Sequence, residues 1–237
     1  MRILPDNENR KAFGNPQPGL FVFQDCLLCE ASTPTLLCAD CIDDLPQLPK
    51  QSCPVCALPT PTGEICGRCL REPPSFDSTR AAFRYDFPID KLVQSFKYGH
   101  RLALGPYFGA QLAARTKDSC ADMIVPLPLH PNRLATRGFN QAVELARPIA
   151  STLAKPLASN ICRRIRDTTA QADLAWSARK NNIRNAFHCN EELSGKHILL
   201  VDDVMTTGAS LNECARVLKL HGAATVDVVV LARALRD

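Results

Sequence analysis

His197 to Ser210 read HILLVDDVMTTGAS, and the fold turns on this stretch. Ile198, Leu199, Leu200 and Val201 form an apolar run of strand type. Two carboxylates follow, Asp202 and Asp203. Then comes a small, hydroxyl-rich loop: Thr206, Thr207, Gly208, Ala209, Ser210. An amphipathic helix begins at once, with Leu211, Cys214, Ala215 and Leu218 on one face. Strand, acid pair, Thr-Thr-Gly loop and helix, in this order, suit a ribose carrying a 5′-phosphate. N–H groups at a helix start, with threonine and serine hydroxyls, can hold the phosphate. The two carboxylates sit where they can accept hydrogen bonds from ribose hydroxyls or help to hold Mg2+. A receiver-type strand also ends in paired acids, but it needs further acids on other strand ends and has no need of the Thr-Thr-Gly loop. A nucleotide P-loop is excluded, because no lysine follows the glycine. An ordinary strand-to-helix turn often carries Asp, Thr and Gly; the coincidence of acids, loop and helix in order weighs against it.

The flanking sequence supplies the rest of an α/β layer. Phe76 to Tyr85 reads as a β-segment with a turn. Asp90 to Gly99 and Leu104 to Arg115 read as helices. Ala121 to Leu129 (ADMIVPLPL) has a buried-strand core followed by a proline-studded loop. Phe139 to Leu153 reads as a helix with a kink at Pro148. Thr225 to Ala232 (TVDVVVLA) is another buried strand. Alternating strands and helices predict a mostly parallel sheet flanked by helices. Ligands then bind beyond the C-terminal strand ends.

Three further stretches bear on that site. Val125 to Leu129 is followed by Arg133 and Arg137 and a Gly-Phe-Asn-Gln turn; arginines past a strand end suit a pyrophosphate. Arg163, Arg164, Arg166, Arg179, Lys180 and Arg184 form the densest basic cluster, readable as a solvated surface or as a phosphate track. Lys97-Tyr98, with Arg101 nearby, is the third.

Eight of the 12 cysteines fall in four Cys-x-x-Cys pairs before residue 70. They are Cys26/Cys29, Cys38/Cys41, Cys53/Cys56 and Cys66/Cys69. Each turn points two thiolates at one metal, and two turns complete a tetrahedron, so two closed structural Zn2+ sites are expected. Sequential grouping gives Cys26, Cys29, Cys38, Cys41 and Cys53, Cys56, Cys66, Cys69; a cross-braced grouping stays open. The segment is proline-rich with little apolar sequence, so metal must supply much of its stability. The other four cysteines, Cys120, Cys162, Cys189 and Cys214, read as buried apolar residues or bystanders. Pro73-Pro74 marks the module's end. The expected divisions are a tail (1–19), a double zinc ribbon (20–72) and a larger α/β domain (73–237).

The 237 residues are 46% hydrophobic, an ordinary globular composition. No stretch is long enough to span a bilayer, and MRILPDNENRKAFG lacks the apolar core of a secretory signal. A cytoplasmic protein is expected. The net charge of +4 is uneven: −3 over residues 1–80 and +7 over 81–237. A basic larger part suits a polyphosphate ligand or nucleic acid, though a solvated basic face would look the same.

The 202–210 stretch resembles the phosphoribosyl-pyrophosphate (PRPP) signature of type I phosphoribosyltransferases. It lies in ILLVDDVMTTGASL, and three more blocks precede it, CGRCLREPPSFD, VPLPLHPNRLATRGFNQ and RDTTAQADLAWSARKNNIRNAF, together with the four cysteine pairs. Together, over residues 20–236, they resemble the ComF family of competence proteins. The resemblance implies a double zinc ribbon joined to a type I phosphoribosyltransferase fold. It assigns Asp202 and Asp203 to the ribose and Thr206, Thr207, Gly208, Ala209 and Ser210 to the 5′-phosphate. Pro126 and Leu127 fall in the pyrophosphate loop, and Arg133 and Arg137 at the flexible loop. It implies Mg2+ arriving with PRPP, and handling of single-stranded DNA in natural transformation or DNA utilisation, with DNA-uptake or recombination proteins as partners. No acceptor-recognising hood and no catalytic residue is identifiable. Two functions therefore compete: a PRPP- and DNA-binding protein, which is favoured, and a glycosyltransferase passing the phosphoribosyl group to a nitrogen nucleophile.

Overall fold

The structure, a computed structural model, describes residues 23–99, 101–167 and 183–235. Arg179 and Lys180 of the basic cluster lie outside them. The chain forms two compact units, residues 1–38 and 39–237.

In the first unit, β1 (Gln24–Asp25) pairs antiparallel with β2 (Ser32–Thr33). The second opens with α1 (Ala39–Asp43) and α2 (Gly67–Arg71). Its centre is a four-stranded parallel sheet of β3 (Ser78–Arg84), β4 (Met123–Pro126), β7 (His197–Met205) and β8 (Thr225–Arg233), in the order β3-β8-β7-β4. β7 and β8 are apolar on both faces, as strands covered on both sides must be. Ile198 and Leu200 point to one face, Leu199 and Val201 to the other.

One face is covered by α3 (Ile89–Tyr98), α4 (Leu104–Arg115) and α6 (Gln141–Leu153). α4 and α6 approach closely because Gly105 and Gly109 face α6. A Cβ on Gly109 would lie 2.7 Å from Pro148 Cγ. Pro148 stands inside an uninterrupted helical run, its ring seated on that glycine. The opposite face carries α7 (Ala209–Leu220) and a hairpin of β5 (Cys162–Arg164) and β6 (Phe187–Cys189). Cys162, Cys189 and Cys214 are buried together there, while Cys120 is exposed.

The second zinc ribbon is built into this layer. Thr79 on β3 donates its N–H to Pro54 O (3.0 Å) and its hydroxyl to Val55 O (2.6 Å). Cys53, Cys56 and Cys69 share one buried cluster with Phe76, Leu200 and Val228. α5 (Pro131–Arg137), absent from the sequence reading, begins at a His130 cap and ends at Gly138, whose φ is +81°.

Candidate functional site

β7 ends beyond Asp202 and Asp203, and α7 starts at Gly208. Adjacent strand residues point to opposite faces, so the two acids divide between the sheet's two sides. Asp203 turns to the α3 side. Its carboxylate lies 3.0 Å from Lys97 Nζ, with the two side chains only 10% and 19% exposed. Burial opposes charge on Lys97, yet Asp203 and then Asp202 hold its pKa above the ordinary lysine value. Asp202 turns to the α7 side, where its carboxylate also accepts the Asp203 N–H at 2.8 Å. Burial and the neighbouring Asp203 push Asp202 up to about 7, against the pull of Lys97 and Arg164.

Arg164 is the sequence-derived residue whose position changes most. Grouped with surface cations, it is instead buried, its guanidinium over the Phe187 ring at 5.6 Å. Burial and nearby Arg133 lower its pKa, while Asp202 and Asp167 attract it. Asp167 in turn accepts from Asn132 Nδ2 (2.8 Å), holding the start of α5 against the hairpin. Two cations therefore act on the acid pair, Lys97 and Arg164, with Arg133 close to Arg164.

Arg137 lies across Tyr98. Its guanidinium is 5.0 Å from the ring centroid, and it donates to Tyr98 Oη (3.2 Å) and to Gln141 Oε1 (2.7 Å). Pro126 ends β4 beside β7 and Leu127 follows it, donating its N–H to Val201 O at 2.8 Å, while Asn140 Nδ2 donates to Leu127 O at 3.1 Å. The sequence thus brought Arg133 and the 126–127 segment to the site's rim. It named Lys97 but gave no role for it, and it missed Arg164's.

The loop from Thr206 to Ser210 turns at Gly208, φ +81°, where a Cβ would strike Met205 Cε at 2.7 Å. α7 has no side-chain cap at its N-cap residue; Ala209 N–H donates to Thr207 Oγ1 at 3.1 Å. N–H groups at a helix start attract an anion. The loop and Asp202 enclose a hollow of about 60 Å³. On its other side, Thr207, Gly208 and Ala209 form one wall of a cleft of about 480 Å³, faced by Arg68, Arg71 and Pro74.

The ribbon cysteines gather in the sequential grouping, each set with its sulfurs within 4.8 Å of one another. Cys29–Cys38 and Cys56–Cys66 are each 3.6 Å apart. A tetrahedral zinc with bonds of about 2.3 Å needs sulfurs roughly 3.8 Å apart, so four-thiol sets fit the ion. Amide donors help: Cys38 N–H reaches Cys26 Sγ (3.4 Å) and Cys66 N–H reaches Cys53 Sγ (3.3 Å). Although burial opposes it, such donors hold Cys26 down to about 6. Mg2+ at the acid pair does not fit in this way. Mg2+ takes six oxygens in a tight octahedron; here the acids face apart, Asp203 is held by an ammonium, and among the described residues only the two cysteine sets gather three or more ligands.

No helix among the described residues is long and apolar enough to cross a membrane. A family model for a phosphoribosyl transferase domain matches residues 139–237, and one for a double zinc ribbon domain matches 20–70. The DNA utilization protein YhgH of Salmonella typhimurium is 36% identical over 191 residues, 77% of this chain and 84% of that protein. Competence protein F of Haemophilus influenzae is 35% identical over 179 residues, 71% and 78% of the two chains. The solved glutamine PRPP amidotransferase of B. subtilis overlays with a TM-score of 0.41 at 17% identity, covering 58% of this chain and 30% of that one. With such relatives matched over more than two thirds of its length, and with a double zinc ribbon ahead of a phosphoribosyltransferase domain, the chain belongs to the ComF family.

Proposed function

We propose that the protein binds PRPP or a related phosphoribosyl ligand at the β7–α7 junction and handles single-stranded DNA, in the cytoplasm, during natural transformation or DNA utilisation. The observation that carries the ligand reading is the acid pair with Lys97 on Asp203 and the charge of Arg164 on Asp202, beside a helix start whose N-cap residue is a glycine. Ribose hydroxyls donate to the carboxylates. The loop N–H groups and the hydroxyls of Thr206, Thr207 and Ser210 take the 5′-phosphate. Arg133, with Arg137 further along α5, faces the diphosphate. A Mg2+ ion, where present, comes with the ligand's diphosphate. The double variant Asp202→Asn/Asp203→Asn should bind PRPP at least about tenfold more weakly by calorimetry, each lost charge-assisted hydrogen bond costing about 1.5–3 kcal/mol. Undiminished affinity would remove the site from consideration.

The DNA reading rests on the relatives, a DNA utilization protein and a competence protein, and on the hairpin. β5 and β6 bring Arg163, Arg166 and Arg184 to one exposed edge, with Arg166 Nη1 donating to Arg184 O at 2.7 Å. If these meet phosphates, affinity for single-stranded DNA falls with salt at a slope of roughly −0.7 per contact. Replacing all three by alanine should make that slope shallower by about two units. A slope equal to wild type rules out this edge. DNA takes only exposed cations here, which is why buried Arg164 leaves the track and joins the ligand site.

The phosphoribosyltransferase-domain match favours a second reading, transfer of the phosphoribosyl group to a nitrogen nucleophile. Pyrophosphate released from PRPP in the presence of a panel of bases and amines would establish it. Binding without release would leave the binding function.

A further inference from the structure

We propose that Lys97 is the site's built-in counter-cation, and that the acid pair receives the ribose with no divalent metal bridging protein and ligand. This rests on the reading of the β7–α7 junction as a phosphoribosyl site. Three observations lead to it. First, Lys97 Nζ is already 3.0 Å from Asp203, both side chains being nearly buried. Secondly, the lysine is not a mobile surface residue that happened to fold inward. It stands on a helix whose Ile89, Leu92, Val93 and Phe96 are all in the core, so its stem leaves the helix from a fixed point. Thirdly, adjacent strand residues send the two acids to opposite sides of the sheet, and the charges of both Lys97 and Arg164 act on Asp202.

A metal at Asp203 would have to expel the ammonium from a nearly dry position and then sit beside it as a like charge. That is unfavourable twice over: the lysine loses its partner while still buried, and the metal gains one carboxylate where the described residues gather no set of three ligands. The ammonium, in contrast, has three donors. One satisfies Asp203, and the others remain for oxygens of an incoming ribose or diphosphate. Lys97 thus positions the carboxylate for ribose hydroxyls and offers charge to the ligand with the same group.

The test uses the full-length, zinc-loaded protein in metal-free buffer without chelator, so that the ribbons stay intact. Mn2+ alone is titrated and followed by electron paramagnetic resonance. Wild type should show no stoichiometric Mn2+ site that disappears in Asp203→Asn. Ribose 5-phosphate is then titrated with and without Mg2+, and wild-type affinity should change by less than about twofold. Lys97→Met keeps the apolar stem and should lower metal-free ribose 5-phosphate affinity by about tenfold or more, the scale of one charge-assisted hydrogen bond. Lys97→Arg keeps the charge and should retain metal-independent binding within a few-fold. A Mn2+ site in wild type that Asp203→Asn abolishes overturns the proposal. So does unchanged metal-free affinity in Lys97→Met. If wild type binds no ribose phosphate at all, the ligand reading fails, and the Mn2+ titration still decides between lysine and metal.

Discussion

Cys53→Ser protein should carry one zinc per chain where wild type carries two, and hydrogen exchange should show protection lost as far as the Thr206–Ser210 loop. Cys29→Ser should also lose one zinc, but its added exchange should stay within the first ribbon. The difference follows from what each cysteine set is packed into. Cys53, Cys56 and Cys69 belong to the same buried cluster as Phe76, Leu200 and Val228 of the sheet layer. Backbone bonds join them to it: Thr79 N–H to Pro54 O, Arg84 N–H to Pro46 O (2.8 Å), Arg233 Nε to Cys56 O (2.9 Å). Serine cannot replace a thiolate at zinc, and an open third-ligand site releases the ion. Structural zinc supplies roughly 10–16 kcal/mol in isolated fingers, comparable to a whole domain's stability of about 5–15 kcal/mol. Cys53→Ser should therefore lower the melting temperature by more than about 10 °C. From sequence alone, damage would be expected to stop at Pro73-Pro74. Exchange confined to residues 39–72 in Cys53→Ser would restore that simpler picture.

What could be read from the residues divides by range. Leu104–Arg115 was predicted to its ends, because a helix pattern is local. β7, β8 and the strand at 123–126 were legible as apolar runs between turn signals. The eight zinc-type cysteines followed from spacing, since each pair needs only a four-residue turn; their sequential grouping is seen only in the fold. The hairpin escaped because its strands are three residues each and are separated by more than 20 residues of polar sequence. Arg164 shows the same limit at one residue. As the second of two arginines after Ile161-Cys162, it looks like its exposed neighbours Arg163 and Arg166. Only the alternation of a strand, paired with Phe187, sends it inward while Arg163 stays out; Arg166 lies beyond the strand's end. Lys97 was visible as a basic residue near the site, but its partner lies 106 positions away, and no local pattern encodes that meeting.

Arg233 gives the second large effect, and nothing in LARALRD announces it. Its side chain is 1% exposed, among the largest fully buried in the protein. The guanidinium donates to four backbone carbonyls: Nε to Cys56 O, and Nη1 to Met205 O (2.8 Å), Thr206 O (2.5 Å) and Ala234 O (2.7 Å). It thereby ties the second zinc knuckle to the point where β7 becomes the Thr206–Ser210 loop. Arg233→Met fills similar space but has no donor. Met205 O keeps the Ala234 N–H at 3.0 Å, whereas Cys56 O and Thr206 O lose the bonds named here. A buried carbonyl left unpaired costs about 1–3 kcal/mol, partly offset because a charge no longer has to be buried. A net loss of about 3 kcal/mol corresponds to a melting temperature lower by roughly 6–12 °C. Zinc content should stay at two, since no ligand is touched. Ribose 5-phosphate affinity should fall although Arg233 makes no bond to the loop's N–H groups, because Thr206 is no longer held. Arg233→Lys should fall between the two, having one ammonium for carbonyls that lie on different sides of a planar fork. If Arg233→Met melts within about 1 °C of wild type, water has taken the arginine's place at those carbonyls, and the tie between ribbon and loop is not what holds the loop in position.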